Sequence, residues 1–462
     1  MPADRTPTTR IGRTARIGGL VAGQGARVAG GKLLDKARTD DSRERAQRKR
    51  TAAIVEQIVV QLGSMKGAAM KFGQVLSTVD LPGLEPEDSE RIKTRLAELR
   101  DSAPHVPFRR MEQLMAKEWG RPLARVLADI DEDAIAAASI GQVYRAETRD
   151  GTPVAIKVQY PGIAEAVESD LRNLQLLLPL LGRIAPGLDT AAMGRELRER
   201  ITEELDYELE AQSQRQMVRA WRGHPFVRIP AVDTEHSTRR VLVTELIEDG
   251  APFAAVKERD DDVRDEFAEI VYRFFYGCVS RLDLACGDPH PGNFLRLPDG
   301  SVSFFDFGMM RRLPSGYARR EAQVFGAIRA QDPAGVTRAL DGLGYLPDGW
   351  DFPDELLYEH MRRSGAYLFE WEQPARLSGA AAHALMESVL SIGGDWRRMV
   401  RSFNVPPEGL LVRRMENILF GVACDLRAAA DWGSLWAEFF LDEPADTALG
   451  RLERDWALDR AA

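Results

Sequence analysis

Asp288, Asn293 and Asp306 carry oxygen ligands at fixed separations, five residues from the first to the second and thirteen from the second to the third. Between the last two runs Val302–Phe305, a short apolar, aromatic and β-branched stretch that suits a buried strand. It ends in Asp306-Phe307-Gly308. Pro289, Pro291 and Gly292 exclude a helix between Asp288 and Asn293, which places both on a stiff loop. Phosphoryl transfer needs divalent cations to neutralise phosphate oxygens. A carboxamide and a carboxylate are ligands that hard Mg²⁺ accepts. Asn293 and Asp306 are therefore the expected metal ligands, and Asp288 the group that orients or deprotonates a nucleophile. An ordinary turn at Asp306-Phe307-Gly308, with Asp288 capping a helix, is the competing reading. Two spacings and an intervening strand occurring together argue against it.

A second set of residues points the same way. Ala136–Ala146 reads as a strand, a tight turn and a second strand, and Asp150-Gly151 closes a hairpin onto Val154-Ala155-Ile156-Lys157-Val158. This is the layout of a nucleotide-covering loop followed by the strand that bears a phosphate-binding lysine. Alone, Lys157 reads equally as a charge that blunts an edge strand; the downstream motif tips it toward phosphate. Ala137, Ala138, Ser139, Ile140, Gly141 and Val143 of the covering loop, and Ala155 beside Lys157, are the expected nucleotide contacts. Phosphate-covering loops of kinase type use Gly-x-Gly-x-x-Gly, whose bare backbone approaches the phosphates. Here alanines fill the early positions and Gly141 remains. The added Cβ atoms restrict φ and crowd the phosphates, which predicts altered nucleotide handling: a preference for ADP, or slow turnover.

These groups need elements to hold them. Val55, Ile58, Val59, Leu62 and Met65 recur at helical spacing within Ala52–Leu76, which runs into Lys71-Phe72-Gly73-Gln74. Gly73 costs that helix about 1 kcal/mol relative to Ala, so close backbone approach is expected there. Ser89–Leu99 and Phe108–Trp119 read as further helices. Met193–Trp221 reads as one long amphipathic helix with an acidic stripe, from which Glu210 is the expected partner of Lys157. Glu204 and Asp206 stand two residues apart and cannot serve one point unless that helix is distorted. Val227–Val232 and Arg240–Ile247 read as strands. Glu245 and Ile247 offer backbone groups to an adenine before the turn at Asp249-Gly250. Val263–Ser280 is a helix leading to the catalytic loop. From Arg319 onward the pattern is helical, with loops at Gly342–Pro353 and Gly393–Trp396, and its tryptophans and leucines read as core.

Bulk properties narrow the class. The 462 residues carry a net charge of −9, so bulk electrostatics do not suggest a nucleic-acid binder, and no nucleic-acid partner is expected. Three cysteines, Cys278, Cys286 and Cys424, form no Cys-x-x-Cys pair, so neither a disulfide framework nor a zinc site is expected. No run of about 18 apolar residues predicts a membrane span; the best candidate, Leu174–Leu188, is interrupted by Pro179, Arg183 and Pro186. No signal peptide is read, and a cytoplasmic setting, peripheral to a membrane, is expected. Residues 1–50 hold thirteen Lys or Arg against five Asp or Glu. They read as a solvated basic arm or as an arm that touches anionic lipid, where each cation contributes roughly 1 kcal/mol.

Five signatures in order resemble the UbiB/ABC1/ADCK (AarF) family of atypical protein-kinase-like proteins over roughly Ile54–Pro314. They are Lys71-Phe72-Gly73-Gln74 (K-x-G-Q), the alanine loop, Val154–Lys157, Glu204-Leu205-Asp206 (E-x-D), and Asp288–Asn293 with Asp306-Phe307-Gly308. Gly223–Phe226 and the lack of C-terminal membrane helices look like the Coq8-type branch. The resemblance implies an α+β, bilobal protein-kinase-like fold with an N-terminal helical extension and a helical C-terminal region. The expected divisions are a basic flexible arm (1–50), a helical extension carrying K-x-G-Q (51–130), an N-lobe (131–250) and a helical C-lobe (251–462). It further implies that Lys71 and Gln74 reach the site, meet Glu204 and Asp206, and gate access where a protein substrate would lie. ATPase or small-molecule kinase action, and a link to isoprenoid-quinone metabolism at the membrane, follow from the resemblance.

The sequence thus predicts an enzyme using ATP (or ADP) and Mg²⁺, contacting membrane lipid or a quinone precursor, with a homodimer left open. Two other readings stand beside it: a small-molecule phosphotransferase of aminoglycoside- or choline-kinase type, and a nucleotide-gated lipid-binding scaffold.

Overall fold

A computed structural model describes residues 106–138, 140–184, 194–195, 198, 202–287 and 289–461. Lys71, Gln74, Ser139 and Asp288 lie outside the described residues, as do the expected helices before residue 106. The described chain is mixed α+β, as expected, and divides into two compact units. One takes the residues through Leu209 together with Asp233–Glu245; the other takes Glu210–Val232 and the chain from Leu246.

The first unit is built on an antiparallel sheet. Its strands are β1 (Leu127–Ile130), β2 (Ala136–Ala137), β3 (Gly141–Thr148), β4 (Pro153–Gln159) and β6 (Val241–Glu245), in the order β1-β3-β4-β6 with β2 paired to β3. Alternation in β4 sends Val154, Ile156 and Val158 into the core and leaves Ala155 and Lys157 half-buried on the other face. The β3–β4 turn is made by Gly151, whose φ of 83° a side chain would oppose. The Phe108–Trp119 helix matches its predicted bounds and stops at Gly120, in the left-handed conformation. Glu118 fastens this helix to the residues before β6, accepting from Arg240 Nε (2.9 Å) and the Thr238 hydroxyl (2.8 Å).

One expectation is corrected here. The Met193–Trp221 stretch is not one helix. The chain turns at Leu205-Asp206, and a new helix, Tyr207–Ala220, starts after it. The cause is a local cap: an Asp206 carboxylate oxygen accepts from Glu208 N at 3.1 Å, while Tyr207 N donates to Arg239 O at 2.9 Å. The stretch around Pro179 belongs to a helix that spans Ile163–Ile184. Among the described residues no helix is long and apolar enough to cross a membrane.

The second unit packs around Asp261–Leu282, a helix whose stretch from Phe267 to Val279 is buried on nearly every side. A helix apolar all round belongs inside a core. Against it lie β5 (Val227–Arg228), β7 (Ala251–Pro252), β9 (Phe294–Arg296) and β10 (Val302–Phe304), in the order β5-β10-β9-β7. A separate antiparallel pair joins β8 (Leu284–Cys286) to β11 (Met310–Arg312). Trp432 and Trp436 are fully buried, as their helical spacing implied. The region after Arg319 is not wholly helical: β12 (Ala375–Arg376) pairs with β13 (Ala429–Ala430). Two-residue strands are too short to leave a period in the sequence.

Candidate active site

In the second unit, two antiparallel pairings flank the described residues of the expected metal-and-base motif. Phe294 at the start of β9 pairs with Phe304 at the end of β10, so Asn293 and Phe305 are adjacent and Phe305 N donates to Asn293 O at 2.8 Å. Asp306 follows directly. The β8–β11 pairing does the same on the other side, with Gly287 N donating to Met309 O at 3.0 Å. Asp288 lies outside the described residues, but its neighbour Gly287 is therefore fixed against the strand that leaves Asp306-Phe307-Gly308.

Among its described residues the loop between contains a 3-10 turn, Pro291–Asn293, and no α-helix. Proline is tolerated at the first position of such a turn because its missing N–H has no partner to lose. His290 Nδ1 accepts from Gly292 N at 3.0 Å, and Asn293 N donates to His290 O at 2.8 Å. Phe307 is buried in the core while Asp306 is exposed. Asp306 has a φ of 59°, and its Oδ1 accepts from Gly308 N at 3.2 Å. A Cβ on Gly308 would stand 3.4 Å from Asp306 Oδ1 and 3.7 Å from Glu210 Oε2. Glu210, buried on its helix, thus lies beside the motif.

Among the described residues no group of three or more His, Cys, Asp or Glu side chains is set to hold a metal ion. The donors here are one carboxamide and one carboxylate. That chemistry fits Mg²⁺, which keeps water and phosphate ligands and does not require an all-protein cage. A soft-metal site would need Cys or His, which this loop supplies only as His290, whose Nδ1 is engaged.

The first unit carries the other expected residues. Lys157 stands on β4, an interior strand flanked by β3 and β6, so the edge-strand reading does not apply. Its Nζ lies 5.0 Å from the centroid of the Tyr207 ring. The covering loop is a β2–β3 hairpin: Ala136 pairs with Val143 and Ala137 with Gln142. Ala138 N donates to Gly141 O at 2.8 Å, which commits that amide to the turn. Ile140 is buried, and its carbonyl accepts from Tyr160 N at 2.8 Å. Gly141 sits so close to β4 that an added Cβ would overlap the Val158 carbonyl and stand 2.8 Å from the Tyr207 hydroxyl. Glu245 ends β6 in this unit, and Ile247 follows in the second. Glu204 is half-buried at the end of the helical residues 202–204, just before the turn at Leu205, and Asp206 is ion-paired with Arg239 at 3.3 Å. Tyr207 did not stand out in the sequence. Its position one residue after the acidic pair was the available signal.

Comparisons with known proteins give the family of the chain. The ABC1 atypical kinase-like domain matches residues 98–340, which include every described candidate residue from Ala137 to Asp306. Atypical kinase COQ8B, mitochondrial, of Rattus norvegicus is 31% identical over 384 residues, 80% of this chain and 71% of that protein. Atypical kinase COQ8, mitochondrial, of Saccharomyces cerevisiae is 27% identical over 347 residues, 75% and 68% of the two chains. Among solved structures, Rv3197 of Mycobacterium tuberculosis, described as a complex with erythromycin, is similar with a TM-score of 0.64 at 28% identity, covering 83% of this chain and 95% of that one. On the matched domain, the shared fold and the ordered motifs together, the chain belongs to the ABC1 family of atypical kinase-like proteins.

Proposed function

We propose that this chain binds ATP with Mg²⁺ and either hydrolyses it or passes its terminal phosphate to a small lipid-related acceptor at a membrane, in support of isoprenoid-quinone metabolism. The observation that carries the reading is the Phe305 N to Asn293 O bond of 2.8 Å, which joins the backbone of Asn293 to the residue just before Asp306 at the end of the β9–β10 pair. Magnesium, when bound, neutralises phosphate oxygens and polarises the transferring group. Asn293 and Asp306 hold it, and Lys157 holds the α- and β-phosphates, with Glu210 as the acid that serves it. Asp288 orients the nucleophile or takes its proton. The backbone of the covering loop and of Glu245 and Ile247 holds the rest of the nucleotide. Lys71 and Gln74, with Glu204 and Asp206, restrict access and disfavour a protein acceptor.

Asp306→Asn tests the assignment. Its Mg²⁺-dependent affinity for ATP, measured by titration calorimetry, is expected to fall roughly tenfold or more while circular dichroism stays unchanged. Undiminished affinity would remove the metal assignment. Phosphate release with and without anionic vesicles, compared with Asp288→Asn, then separates the enzyme from the nucleotide-gated scaffold: equal release from both proteins favours the scaffold.

A further inference from the structure

Tyr207 is almost wholly buried, although tyrosine is a residue that usually keeps its hydroxyl near water. Three features fix it. It is the first residue of its helix, and its N–H donates to Arg239 O at 2.9 Å. The preceding residue, Asp206, caps the helix through Glu208 N and pairs with Arg239. The ring reaches beneath the sheet, with the Lys157 ammonium 5.0 Å from its centroid and its hydroxyl under Gly141. Gly141 lies two residues from Val143, the β3 partner of Lys157. One ring therefore underlies both the phosphate lysine and the end of the covering loop, all within the first unit.

We propose that Tyr207 is a positioning residue for Lys157, its ring face holding the ammonium in the orientation that meets phosphate. An ammonium over an aromatic face is attracted by the ring quadrupole, and the attraction grows where water is scarce. A lysine side chain otherwise spreads over many rotamers. The bare Cα of Gly141 makes room for the hydroxyl that seats the ring. This inference rests on the reading of Lys157 as a phosphate ligand.

The test uses the full chain and Mg·ATP as the probe. Tyr207→Phe keeps the ring face and is expected to bind within about twofold of the parent protein. Tyr207→Leu is expected to weaken binding about five- to tenfold. In a Lys157→Met background the same Tyr207→Leu change is expected to cost nothing further, since the cation it holds is gone. Where the leucine variant does not fold, phenylalanines of increasing fluorination at position 207 replace it. They keep the shape and drain the ring face of charge, so affinity falls stepwise with each fluorine. A flat fluorination series, or an equal cost of Tyr207→Leu in both backgrounds, would overturn the proposal and leave Tyr207 a packing residue. If Lys157→Met alone leaves affinity unchanged, the phosphate reading of Lys157 fails instead.

Discussion

Gly141 shows how one residue can carry two explanations of different origin. In the sequence it is the glycine left in an alanine-rich loop, and bare backbone near a nucleotide suggests approach to phosphate. In the structure the space is taken from behind, by the Val158 carbonyl and the Tyr207 hydroxyl. Gly141→Ala should therefore destabilise the first unit by about 1–3 kcal/mol, because the overlapping atom is backbone in a central strand and cannot swing away. Urea denaturation checks this without any nucleotide; unaltered stability would return the glycine to a role in phosphate approach alone. Asp306 makes the opposite point. Its left-handed φ of 59° is one that aspartate and asparagine tolerate better than most residues. Asparagine at this position removes the charge and leaves the backbone at ease, which is why it is the informative replacement.

At the scale of elements, the parts that follow a period were legible and the parts that follow a cap were not. Alternation placed Lys157 opposite Val154, Ile156 and Val158, and β4 bears this out. Proline and glycine around Asn293 excluded a helix of any length, and only a 3-10 turn forms. The apolar spacing across Met193–Trp221 continues through Leu205-Asp206 and conceals the break there. A period records which face is buried, but not a side chain that satisfies the first free amides of a new helix. The interior position of β4 was equally hidden, since sheet order depends on pairings between distant strands: β4 joins β6 some eighty residues later. If Asp206 sets the start of the Tyr207–Ala220 helix, Asp206→Ala should cost about 1 kcal/mol of stability. Asp206→Asn, which keeps an acceptor for Glu208 N and loses only the exposed pairing with Arg239, should stay within about 0.5 kcal/mol. Equal losses in chemical denaturation of the two variants would assign the effect to charge and not to the cap.

At the scale of the molecule, the second unit ties its helices together with buried charge as well as apolar packing. Arg273 donates to Glu269 (2.7 Å), Glu438 (2.8 Å), Glu453 (2.9 Å) and Thr447 (2.9 Å), stitching the C-terminal helix to the central one. Removing one partner of such a buried group leaves an uncompensated charge and costs about 3–5 kcal/mol. A separate buried group, His360, makes this unit sensitive to acid. Burial lowers its pKa from 6.5 to about 4, and its Nδ1 accepts from Trp396 Nε1 at 3.1 Å, a bond that needs the neutral ring. A folded pKa below the unfolded one means that the stabilisation is complete above pH 6.5 and is lost as pH falls toward 4. Glu416 acts with the opposite sign. Burial raises its carboxyl to about 7 against the pull of Arg413, so its contribution is complete below the usual carboxylate range and is lost as pH rises toward 7. Replacing each group by a neutral one separates the two. His360→Asn keeps an acceptor for Trp396 and should remove the part of the fall in stability between pH 6.5 and 5 that His360 contributes, about 2 kcal/mol before the opposing gain from Glu416 is counted. Glu416→Gln should instead make that fall steeper, because it removes the group whose protonation offsets it. Denaturant midpoints at half-unit pH steps read both slopes. Parallel curves for parent and His360→Asn would show that His360 binds protons equally in the folded and unfolded states across this range, and that any acid sensitivity belongs to other groups.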